Sequence, residues 1–185
     1  MSGDLGKVLA GQVLISHPAL RHDAFKRTVV LLTAHSDTGT LGFILNRPLT
    51  KPLGAVAPGF AGTALGAAPL YEGGPVSANR FSFCTFHWQQ PEGEFRIKFG
   101  ISREEAESFF DKAEDGARLL CLAGYAGWAP GQLKDELRHN AWVVAPVDHH
   151  LLQEWDGEAL WRAFLREHHP VLSVLAEAPE APEMN

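Results

Sequence analysis

The run Thr28–Ala34 (TVVLLTA) constrains the fold more than any other stretch. It is apolar or β-branched almost throughout and does not alternate. That is the pattern of a strand covered on both faces, which belongs in the interior of a sheet. Ser36-Asp37-Thr38-Gly39 then forms a turn cluster and Leu41–Leu45 (LGFIL) resumes the apolar pattern, so the pair reads as an antiparallel hairpin.

Further strands follow the same logic. Gln12–Ser16 (QVLIS) is short and is stopped by His17-Pro18, because the residue before proline is pushed out of helical space. Pro69–Glu72, Arg80–His87, Phe95–Phe99, Ala117–Tyr125 and Trp142–Val147 also read as strands. Residues 49–69 are rich in Gly, Ala and Pro and suggest one short helix near Pro52–Val56, then a loop. Ser102 and Glu105 form a capping box that opens a helix with Ala106, Phe109, Phe110 and Ala113 on one face. A second helix starts near Pro130 and buries Leu133 and Leu137. Asp156 caps a last helix whose Leu160, Trp161, Phe164 and Leu165 face the core, and His168-His169-Pro170 ends it. Strands come first and helices late, which predicts an α+β fold with a mixed sheet and three or four helices.

The 185 residues predict a single domain over 1–175, with an Ala/Pro/Glu-rich, disordered tail over 176–185. The net charge of −6 argues against an affinity built on many phosphate contacts, so direct nucleic-acid binding is disfavoured. Cys84 and Cys121 each lie in an apolar run and read as buried, reduced thiols. No basic segment followed by an apolar stretch opens the chain, and no run has the length of a membrane span. A cytoplasmic protein is the expectation by elimination.

Signature motifs of nucleotide, hydrolase and zinc-protease sites are missing from the chain. The nine histidines do not fall into ligand spacings, so neither metal nor cofactor is expected. Three segments do concentrate polar residues and glycines at strand ends. Gly124–Leu133 runs from a strand through a glycine-rich turn into a helix start, where free amides suit an anion. It brings Gly127, Trp128, Gln132 and Glu136, and its alternative reading is a tight turn with Trp128 in the core. Asn46-Arg47 ends a strand, and Arg47 suits a carboxylate or phosphate, or else an ion pair with Glu72 or Glu136. Gly73-Gly74-Pro75 exposes backbone to a ligand or to another strand. If these segments converge, they edge one ligand-binding pocket.

Taken in order, Gly11–Leu20, Phe25–Leu32, Gly39–Leu49, Gly73–Val76 and Gly124–Leu137 resemble the AlgH/YqgE family of small bacterial proteins, over about residues 8–165. Trp142 and Trp155 sit where that family's later tryptophans are expected. The resemblance implies an α+β fold whose bifurcated, mixed sheet curls into a pseudo-barrel packed by helices. The stretch between His87 and Phe95 is short beside the family's usual segment there. Some members carry the label of transcriptional regulator, and the resemblance supplies no catalytic residue. The leading expectation is a non-enzymatic module that binds a small anion or a protein partner. The alternatives are a hydrolase or transferase with Glu136 as general base and, last, a direct DNA-binding regulator.

Overall fold

The hairpin read from Thr28–Ala34 lies in the middle of an eight-stranded sheet. A computed structural model describes residues 9–21, 24–88, 95–112 and 116–177. The strands are β1 (Gln12–Ser16), β2 (Val29–Ser36), β3 (Gly39–Ile44), β4 (Leu70–Glu72), β5 (Val76–Trp88), β6 (Phe95–Phe99), β7 (Ala117–Trp128) and β8 (Trp142–Pro146). Their order is β6-β5-β7-β3-β2-β1-β8, with β4 attached to β7. Every pairing between them is antiparallel except β4 with β7. The sheet is mixed, forked at β7 and open, with β6 and β8 as its two ends.

Both faces of β1 and of Val29–Leu32 in β2 are buried, as the non-alternating apolar pattern requires, whereas β2 from Thr33 onward is half-buried or exposed. Val13, Ile15, Val29 and Leu31 join one core cluster, and Leu14, Val30 and Leu32 join another on the opposite face. A third cluster holds Leu53, Leu65, Leu70, Phe83, Cys121 and Ala106. Cys84 and Cys121 belong to different clusters, on opposite faces of the β5–β7 ladder, in which Cys84 pairs with Leu120 and Phe83 with Cys121. Both thiols are free and buried, and burial pushes each up to about 12.

Six α-helices are described: α1 (Leu53–Val56), α2 (Arg103–Lys112), α3 (Gln132–Arg138), α4 (His149–Glu154), α5 (Gly157–His168) and α6 (Pro170–Glu177). Two short 3-10 turns, Pro58–Phe60 and Ala64–Ala67, follow α1. The capping box is present: the Ser102 amide donates to Glu105 Oε2 at 2.9 Å, and the Glu105 amide donates to Ser102 Oγ at 3.1 Å. Asp156 caps α5 through Gly157 N at 2.7 Å.

The expected three or four helices undercount the described ones for local reasons. Asp148 caps the six-residue α4 by accepting from His150 N and Leu151 N, and six residues are too few for a clear helical period. Pro170 stops α5 but also starts α6, because a first-turn proline loses no hydrogen bond there. The α6 helix extends through Ala176 and Glu177, the first two residues of the tail expected to be disordered. Residues 178–185 lie outside the described residues, as do Ala113 and most of the short connection before Phe95.

The fork at β7 is a backbone-packing solution. β4 lies parallel to β7, with Tyr71 opposite Leu122 and Glu72 opposite Ala123. On its other side β4 meets the chain that follows β3: Leu49 N donates to Leu70 O, and Glu72 N donates to Arg47 O. β4 is thus a wedge between β3 and β7, and beyond it β3 pairs with β7 directly, Gly42 opposite Ala126 and Thr40 opposite Trp128. The chain then crosses the face of β7 at Gly73-Gly74-Pro75 and joins its other edge, where Val76 pairs with Tyr125. Contact is too close for side chains. A Cβ on Gly74 would lie 2.2 Å from the Tyr125 carbonyl carbon, and one on Gly124 would lie 2.4 Å from Gly74 O.

Gly124 also has a left-handed backbone, φ +71°. Gly124→Ala therefore adds about 1–2 kcal/mol of backbone strain to a clash that the crossing cannot relieve. The expected loss of unfolding free energy in urea is at least about 3 kcal/mol. Gly62→Ala, where a Cβ meets nothing within 4 Å, is expected to change it by no more than about 1 kcal/mol. Equal effects of the two substitutions would remove the crossing as the reason for these glycines.

Candidate functional site

The segment after β3 and the start of α5 are held together by one buried amide. Asn46 Oδ1 accepts from Val29 N at 2.8 Å, and Asn46 Nδ2 donates to Arg27 O at 2.9 Å and to Gly157 O at 3.0 Å. Its side chain is 3% exposed, so each bond replaces water that cannot reach it. Arg27 is left-handed at φ 56°, an unfavourable state for a residue with a Cβ, and the Asn46 bond to its carbonyl helps hold it there.

This clamp shapes a hollow of about 530 Å³ lined by Lys26, Arg27, Asn46, Arg47, Pro48, Leu49, Glu72, Gly157 and Glu158. Arg47 faces Glu72 at 3.5 Å and donates from Nη2 to Lys26 O at 3.1 Å. Arg27 Nη1 meets Glu158 Oε2 at 2.9 Å. Partial burial alone would push the Glu158 carboxyl up, but hydrogen bonds from Arg162 and Arg27, with their charges, hold it below the usual carboxylate value. Among the described residues, three cationic side chains and two carboxylates line it.

Behind the hollow, Asp156 joins α5 to the sheet. Its Oδ2 accepts from Tyr71 OH at 2.5 Å and from Arg118 Nη2 at 3.3 Å, and Arg118 also donates to the Tyr71 hydroxyl. Burial, then the bond to Asp156, push the Tyr71 phenol up to about 12.

The remaining sequence-derived site residues lie elsewhere. Gly73 and Gly74 are packed against β7 at the crossing, with Gly73 N donating to Ala123 O and Gly73 O accepting from Ile44 N. Gly127 and Trp128 line a separate hollow of about 440 Å³ with Leu41, Val76 and Tyr125. The Trp128 ring is buried in an aromatic cluster with Phe25 and Trp142, at centroid distances of 5.8 and 6.0 Å. Glu136 Oε2 accepts from the Trp128 and Trp142 indoles at 2.9 and 2.7 Å, and its Oε1 accepts from Gln132 Nε2 at 2.9 Å. Gln132 Oε1 in turn accepts from Ala129 N. Three donors thus converge on this half-buried carboxylate.

The structure thus brings Asn46 and Arg47 together with Glu72 and keeps Gly127, Trp128, Gln132 and Glu136 apart from them. It adds Lys26, Gly157 and Glu158, which sequence reasoning passed over, and Arg27, which the sequence places in no binding site. The basic pair Lys26-Arg27 directly before the central strand was the available signal; the contribution of α5 has no local sequence signal. Among the described residues, no group of three or more His, Cys, Asp or Glu side chains could hold a metal ion, and no helix is long and apolar enough to cross a membrane.

A family profile described as AlgH-like matches residues 13–172. A UPF0301 protein of Streptomyces avermitilis is 32% identical over 189 residues, spanning 96% of this chain and 95% of that protein. One from Azoarcus is 36% identical over 157 residues, with 76% and 78% covered. Among solved structures, the solution structure of the AlgH protein from Pseudomonas aeruginosa aligns with a TM-score of 0.68 at 27% identity, covering 98% of this chain and 99% of that one. A crystal structure of a Corynebacterium diphtheriae protein aligns at 0.69 and 24% identity, over 96% and 100%, and supports the fold alone.

Two outcomes test the clamp. Asn46→Ala leaves the buried Val29 amide without its acceptor and is expected to cost about 1–3 kcal/mol in urea unfolding; a change within error would reduce Asn46 to a spectator. Folded Tyr71 keeps its proton to about pH 12, while an unfolded tyrosine loses it near pH 10. Stability attached to that proton is therefore present below about pH 10 and is lost as pH rises to about 12, by about 3 kcal/mol. The two thiols, raised in the same direction by burial, add a further loss from about pH 9 upward. Tyr71→Phe is expected to flatten only the part above about pH 10, and an unchanged slope there would refute this.

Proposed function

The chain belongs to the AlgH-like family, and on that premise we propose that it is a non-enzymatic binding module whose ligand surface is the hollow at Lys26, Arg27 and Arg47. The observation that carries the reading is the convergence of these three cationic groups on the amino end of α5 within one concavity. A carboxylate or a small oxyanion entering it meets guanidinium donors in fork geometry and the positive end of a helix. Both internal ion pairs are partly exposed, and pairs of that kind contribute only about 0–1 kcal/mol. Opening one of them to a ligand is therefore cheap. The natural occupant in this reading is a small anion or a partner's carboxylate, and occupancy is the event through which the module would regulate anything.

The test is an NMR titration of the full chain with acetate and with inorganic phosphate. Saturable shifts are expected at Arg47, Gly157 and their neighbours, and Arg47→Ala and Arg27→Ala should each weaken the affinity about tenfold or more, about 1.4 kcal/mol. Shifts that map elsewhere, or affinities indifferent to both substitutions, would sink the proposal.

A further inference from the structure

The lining of the hollow carries both signs of charge in an ordered way. Arg47 stands 3.5 Å from Glu72, and Arg27 stands 2.9 Å from Glu158. Each guanidinium thus has a carboxylate beside it, and both pairs open onto the same concavity. Pro48 and Leu49 form the apolar part of the wall, with Leu49 40% exposed although it is a large hydrophobic residue.

We propose that the hollow takes a free α-amino acid with an apolar side chain, a claim that rests on the anion-binding reading above and narrows it. A plain anion that reaches Arg47 or Arg27 also approaches Glu72 or Glu158, and that like charge repels it. A plain cation faces the reverse conflict with Lys26, Arg27 and Arg47. A zwitterion meets neither. At the Arg47–Glu72 pair, next to Pro48 and Leu49, its carboxylate replaces Glu72 as the guanidinium partner and its ammonium takes the Glu72 carboxylate so released, so both halves of the broken ion pair regain a partner. The α-carbon keeps those two charges within a few ångströms of each other, as they are in the resident pairs. The side chain then covers Pro48 and Leu49. The open hollow of about 530 Å³ has room for a ligand of this size. A peptide terminus offers only one of the two charges, so the class named is the free amino acid.

Calorimetry of the full chain separates the parts. The probes are L-leucine, 4-methylpentanoate (the same skeleton without the amine) and 3-methylbutylamine (the same skeleton without the carboxylate). Leucine is expected to bind at least about tenfold more tightly than either. Glu72→Ala should weaken leucine at least about tenfold and leave 4-methylpentanoate equal or tighter, because it removes the ammonium partner and the competing carboxylate together. Circular dichroism checks that the variant folds, and Glu72→Gln serves in its place if it does not.

Equal binding of leucine and 4-methylpentanoate would overturn the inference and leave the anion-binding reading standing. So would leucine binding that is indifferent to loss of the Glu72 charge. If leucine fails to bind while acetate and phosphate bind at Arg47, the inference alone falls. If all of these probes fail, both readings fall.

Discussion

A β-strand has two edges, and β7 must serve three partners. The structure meets that demand by splitting one edge lengthwise between β4 and β3 and giving the other to β5. The chain can pass between those edges only where backbone can lie on backbone, at Gly73, Gly74 and Gly124. The fork, the wedge position of β4 and the separation of the core into clusters all follow from that crossing.

The wedge has consequences for the surface. Because β4 sits beside the chain that follows β3, Glu72 comes next to Arg47. Because Tyr71 reaches Asp156, the amino end of α5 is drawn to the same place. Asn46 then ties α5 to the loop before β2 and fixes the strained Arg27 backbone. Opposite charges meet where four chain segments come together, and they stay partly exposed there. In contrast, the polar residues of Gly127–Glu136 are consumed internally. Glu136 accepts from the indoles of Trp128 and Trp142, which burial would otherwise leave without an acceptor, and Gln132 holds Glu136 in place by donating to its other oxygen.

How much was legible in the residues varied with the range of the interaction. The both-faces burial of β1 and of Val29–Leu32 in β2, the capping box at Ser102, the cap at Asp156 and the reduced state of the two thiols depend on a few neighbouring positions. The glycine runs were legible as sites of close approach, but not as to what approached. Arg47 and Glu72 were readable as one of two possible ion pairs; choosing between Glu72 and Glu136 required the wedge. The single pocket imagined for three glycine-rich turns resolved into a strand crossing, an aromatic cluster and two separate hollows, because β3 runs between Arg47 and Gly127 and holds those ends apart.

The sequence by itself determined the strands and their order, most of the helices, the α+β class and the family, since periodicity, caps and turn residues act over a few positions along the chain. Only the tertiary structure decided which polar residues would share a surface. Asn46, Arg27 and Gly157 are far apart in the chain, and the hydrogen bonds that join them exist only once β1 to β3 and α5 have packed. A side chain's chemistry is written locally, but whether it faces solvent, a partner charge or an indole is set by contacts whose sequence separation carries no pattern to read.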